Sequence, residues 1–154
     1  MNINYTLEEI LPHRSPMILL DRIIECDEHS LTAILEIKED NLFLNLQKKV
    51  PVWIGLEYMA QAIGAHAGIM RREQNEAVNI GFLLGTRCYE TNVVFFELGT
   101  KLYIKANKLY QEGAAGSFDC CIQDERKNIL ATAKIVAYQP EDIKKYLDKQ
   151  FYNE

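Results

Sequence analysis

A single apolar run, VPVWIGLEYMAQAIGAHAG from Val50 to Gly68, limits what this chain can fold into more than any other part of it. Its length and its wealth of Ala and Gly predict one long helix packed closely on most sides, with Pro51 at or just before its start. Near the start stands a carboxylate, Glu57. An ionised carboxylate taken out of water is costly unless it is paired, hydrogen-bonded or protonated, so its place in an apolar helix calls for a reason. At about 100° per residue, Glu57, Gln61, Gly64 and Gly68 share one narrow stripe. A polar pair thus stands above a floor without side chains, where a second chain or an elongated ligand can come close. His66 lies about half a turn round the helix from Glu57, so the two cannot act together within it. The run is long enough to span a membrane, but Glu57, Gln61 and His66 would then stand in hydrocarbon. It reads as a core helix.

The flanking segments supply a sheet for that helix. Thr6 caps a short helix, Leu7 to Leu11, which ends before Pro12. Met17 to Cys26 and Ser30 to Lys38 read as a hairpin, and residues 39–49 as a mixed loop. Further strands are expected over Gly81 to Glu90, Thr100 to Gln111, Gly116 to Gln123 and Ile129 to Tyr138, the last with clear alternation. The glycines of the first of these mark a possible bulge. Pro140 opens an amphipathic helix over about residues 140–151. This order predicts an α+β fold with a mostly antiparallel sheet wrapped around one long central helix. Without a linker or composition break, residues 1–154 read as a single domain with its core at about 7–138.

Composition narrows the class. Apolar residues are 48% and charged ones 25% of the 154, as in a soluble globular protein, and the net charge of −5 argues against a nucleic-acid or anionic-membrane surface. The start MNINYTLEEI has no signal-peptide pattern. None of the four cysteines (Cys26, Cys88, Cys120 and Cys121) forms a C-x-x-C pair, and the adjacent two would point to opposite faces of a strand. Reduced thiols in a cytoplasmic protein, with no metal site and no cofactor, are the expectation.

LPHRSPMILLDRI (Leu11 to Ile23) together with GLEYMAQAIG (Gly55 to Gly64) resembles the β-hydroxyacyl-acyl-carrier-protein dehydratases of the hotdog fold, which carry a PHR-x-P segment and an E-x-x-A-Q helix signature. The long apolar run with GFLLGTRCYE (Gly81 to Glu90) is similar to one branch, the dehydratase-like proteins of aryl-polyene biosynthesis. The resemblance implies that Glu57 is the helix acid and Gln61 its neighbouring glutamine. It also implies that the amide of Gly55 polarises a thioester carbonyl, with Gly64 completing a substrate-binding set of Gly55, Gln61 and Gly64. One departure stands out. Ordinary dehydratases hold a catalytic histidine in G-H-F-P-G ahead of the helix, whereas this chain has NLFLNLQKK over 41–49, with Phe43 at the histidine position. His13, in the PHR segment, is the remaining base, and dimeric hotdog sites draw on two chains.

Dehydration of a 3-hydroxyacyl thioester requires a base for the C2 proton, an acid for the departing hydroxyl and a donor for the enolate-like oxygen. A carboxyl in an apolar pocket has its pKa raised by desolvation, which would suit Glu57 as the acid. Three readings follow. The chain is a 3-hydroxyacyl-carrier-protein dehydratase of fatty-acid-like or aryl-polyene synthesis, a catalytically weak subunit paired with an active dehydratase, or an acyl thioesterase. Retention of Glu57 and Gln61 favours the first, and the missing loop histidine the second. The implied partners are an acyl carrier protein and a second hotdog chain, in a homodimer or heterodimer. For the remaining polar residues the expectations are structural: His66 as a packed histidine, His29 solvated in a turn, and Arg14, Asp21 and Arg22 as an ion-pair set.

Overall fold

The computed structural model describes residues 3–151, so residues 1, 2 and 152–154 of the expected single unit lie outside it. The chain begins with α1 (Leu7–Ile10), followed by β1 (Arg22–Cys26), β2 (Ser30–Glu36) and β3 (Lys49–Pro51). A 3-10 turn, Val52–Ile54, leads into α2 (Gly55–Glu73). Then come β4 (Phe82–Thr91), β5 (Phe95–Glu97), β6 (Lys101–Glu112), β7 (Ala115–Gln123), β8 (Ile129–Tyr138) and α3 (Ile143–Phe151). Six strands form one antiparallel sheet in the order β1-β2-β6-β7-β8-β4, and β3 pairs with β5 apart from it.

Alternation along the strands aims one row of side chains at α2. Leu31, Ala33 and Leu35 of β2, Leu102, Ile104 and Ala106 of β6, Ile122 of β7 and Ala131, Ala133 and Ile135 of β8 are all buried. They meet Tyr58, Met59, Ala62, Ala65 and Ile69 of the helix in one cluster. The alanines on both sides let helix and sheet approach closely, as the sequence implied. On β7, Cys120 is buried and Cys121 half-buried, on opposite faces as expected. No helix among the described residues is long and apolar enough to cross a membrane.

Several expectations change. Residues 17–20 are not a strand, because their backbone is bonded by the side chain of Gln61 rather than by a neighbouring strand. The stripe of small residues on α2 does not receive a foreign chain at Gly68. The chain's own α1 lies there, and a Cβ on Gly68 would fall on the Ile10 carbonyl. The expected Arg14, Asp21 and Arg22 ion-pair set does not form. Arg14 donates to the carbonyls of His13 at 2.7 Å and Leu11 at 3.2 Å, capping the end of α1. Asp21 accepts the Glu36 amide at 2.8 Å and pairs with Lys38 at 3.6 Å.

Candidate active site

Glu57 occupies the first turn of α2, one turn before Gln61 on the same side. Gln61 is fully buried, and its amide is used completely. Its Oε1 accepts the Leu19 amide at 2.9 Å, while Nε2 donates to the Met17 carbonyl at 2.8 Å and to Glu57 Oε1 at 3.0 Å. These three bonds fix the amide's orientation and tie the segment before β1 to the helix. They also leave Glu57 Oε2 as the oxygen to present to a substrate.

His13 follows α1 by three residues and meets the same carboxylate, with Nε2 3.6 Å from Glu57 Oε1. Its Nδ1 is buried without a hydrogen-bond partner among the described residues, so Nε2 is the nitrogen turned to the acid. His13 and Glu57 therefore meet within one chain, where a contribution from two chains was the expectation. Both line a cleft of about 480 Å³, in which Ala60, Gly64 and Ala67 of α2 face Phe82 and Tyr138 of the sheet. The stripe seen in the sequence thus divides. Glu57 and Gly64 turn to the cleft, while Gln61 and Gly68 turn to the chain's own N-terminal segment.

Two expectations about this site are corrected. Glu57 is not withdrawn from water in the single chain, since its side chain is 42% exposed and that of His13 34%. The first turn of α2 stands at the rim of the cleft rather than under the sheet. The Gly55 amide does not face the cleft. It turns back on the carbonyls of Val52 and Trp53 in the preceding 3-10 turn, and the residue is buried. His66 behaves as the sequence implied. It is 3% exposed, its Nε2 lies 2.9 Å from the Asp27 carbonyl, and burial pushes its pKa down.

Sequence reasoning missed the far wall of the cleft. Phe82 and Tyr138 read only as strand residues, because their meeting depends on the pairing of β4 with β8. Ala60 and Ala67 carried a weak signal, lying with Glu57 and Gly64 at helical spacing.

A family model described as ApeP-like, ApeP dehydratase, matches residues 5–148. Over nearly its full length the chain is similar to one from the dehydratase heterocomplex ApeI:P of Xenorhabdus doucetiae. The two are 34% identical with a TM-score of 0.88, covering 96% of this chain and 97% of the other. A 3-hydroxyacyl-acyl-carrier-protein dehydratase FabZ of Streptococcus thermophilus is 35% identical over 71 residues, 46% of this chain and 50% of that protein. The chain spans about half the length of the curated relatives it matches. A hypothetical thioesterase of Streptococcus pneumoniae with coenzyme A shares the fold alone, at 13% identity and a TM-score of 0.62, over 77% of this chain and 84% of that one. The sheet wrapped around α2 is the hotdog fold.

Proposed function

This chain belongs to the ApeP-like dehydratase family, and on that footing we propose that it removes water from 3-hydroxyacyl thioesters carried by an acyl carrier protein, in fatty-acid-like or aryl-polyene synthesis. The observation that supports this reading is the approach of His13 Nε2 to Glu57 Oε1 at the rim of a cleft. In the proposed reaction, neutral His13 takes the C2 proton and the electron pair of that bond forms the C2–C3 double bond. The hydroxyl leaves C3 with a proton from Glu57 Oε2, as water. The proton held by His13, whose Nε2 rests 3.6 Å from the other oxygen of the same carboxylate, then returns to Glu57 Oε2 and restores both groups. Gln61 holds Oε1 throughout and keeps Oε2 on the substrate side.

The proposal includes a partner. The similar chain from Xenorhabdus doucetiae belongs to a heterocomplex, and β4 here is an open edge strand with Leu83 48% and Leu84 55% exposed. An edge this long, with two leucines in solvent, is suited to a second hotdog chain continuing the sheet. Such a chain would also cover Glu57, withdrawing it from water.

The test measures enoyl product from a 3-hydroxyacyl-carrier protein, with the chain alone and with a hotdog partner. Glu57→Gln and His13→Ala are each expected to lower kcat by about 10²-fold or more. Wild-type rates in both variants would defeat the assignment. Free acid in place of enoyl product would select hydrolysis.

A further inference from the structure

Tyr89 has no part in the cleft or in the roles above, yet it stands in GFLLGTRCYE, one of the segments on which the resemblance rests. It lies on the open edge strand β4, opposite the buried Ala133 of β8, which places it on the inner side of the sheet. Its hydroxyl donates to the Val52 carbonyl. Val52 opens the 3-10 turn that runs into α2, and the same carbonyl receives the Gly55 amide.

Gly55 makes the room for this. A Cβ built there would lie 2.5 Å from the Tyr89 hydroxyl and 2.9 Å from Ile122 Cδ1, closer than packed atoms tolerate. The glycine and the phenol are a matched pair.

A helix that carries a working carboxylate in its first turn needs that turn held. Ser, Thr, Asp or Asn ordinarily does this from the N-cap. α2 has Ile54 at that position and no side-chain cap bond. Its start is instead fixed from outside, by the pairing of β3 with β5 and by the Tyr89 hydroxyl. Burial pushes the Tyr89 phenol up to about 12, so it keeps its proton and stays a donor at any working pH.

We propose that Tyr89 is a positioning residue, pinning the start of α2 to the edge strand so that Glu57 is held in register with His13. Its consequence for catalysis rests on the dehydratase reading, whereas the geometry it controls does not. Tyr89→Phe keeps the ring and removes only the bond. It is expected to lower kcat about tenfold or more, as small misplacements of reacting groups do, and to leave KM within about twofold. In the full chain without substrate, the His13 ring resonances seen by NMR are expected to shift. Cys120→Ala, a core truncation on β7 two strands from Tyr89, measures what a merely structural loss does and is expected to change neither readout. Unchanged kcat and unchanged resonances in Tyr89→Phe would overturn the proposal, as would the same changes in Cys120→Ala. A wild-type chain inactive with every partner, but with resonances that move in Tyr89→Phe, would uphold the positioning role and defeat only the dehydratase reading.

Discussion

The two edges of the six-stranded sheet are built differently. β1 is five residues long, has a register shift between Ile23 and Glu25, and exposes Arg22 and Glu25. Beside it, side chains of α2 fasten the adjoining backbone at Met17, Leu19 and Asp27. β4 also shifts register, twice, and exposes Arg87 and Glu90, but it is ten residues long and its leucines stand in solvent. It holds the start of α2 through the Tyr89 hydroxyl. Short edges end a sheet, while long ones with exposed apolar side chains invite another strand. The first edge closes the fold, and the second has no neighbouring strand on its outer side among the described residues. His13 comes from the closed side, and Glu57 from a helix whose first turn is tied to the open one. The candidate site therefore draws on both edges.

The closed edge is where a single change should cost most. Gln61→Leu leaves the Leu19 amide and the Met17 carbonyl without their partner, and about 3 kcal/mol of stability should be lost, read from urea unfolding. A loss under about 1 kcal/mol would mean that this edge is not fastened as described. The open edge should respond in assembly instead. Leu84→Lys is expected to leave single chains in sedimentation, whereas Arg22→Glu on β1 leaves the assembled mass unchanged, and the reverse result would invert the comparison. The smallest effect concerns pH. Burial holds the His66 pKa below its ordinary 6.5, so the unfolded chain takes up a proton at a higher pH than the folded one. The stability it contributes is full above that value and falls as pH drops through it towards the folded pKa. His66→Phe should flatten that decline, as urea midpoints at about pH 7.5 and about pH 5.5 would show.

The sequence spoke most clearly where periodicity was strong. The alternation of LATAKIVAY marks β8, and the apolar run marks α2, though not its ends. The expected helix over Val50 to Gly68 starts later because Val50 and Pro51 pair with Phe96 and Phe95 in a sheet too short to show a period. It continues to Glu73 because Arg71, Arg72 and Glu73 form a polar last turn, indistinguishable in sequence from a loop. The site was legible as residue types. Glu57, Gln61 and His13 could be named, but their meeting depends on how α1 seats against α2. Seen only as a smooth stripe, Gly64 and Gly68 suggested an open floor, and nothing local said that the chain's own N-terminal helix occupies part of it. The exposure of Glu57 was equally out of reach, since it depends on which chain covers the rim.

The contact between the Ile10 carbonyl and the face of Gly68 reaches further than its size suggests. A helix of four residues has little grip of its own, so this joint decides where the imidazole three positions later can stand. That glycine stands eleven positions after Glu57, and a methyl group added there would push His13 away from the carboxylate. The approach of His13 to Glu57 can thus be lost through a change that touches neither side chain, and a survey of variants that inspects only the cleft would overlook it.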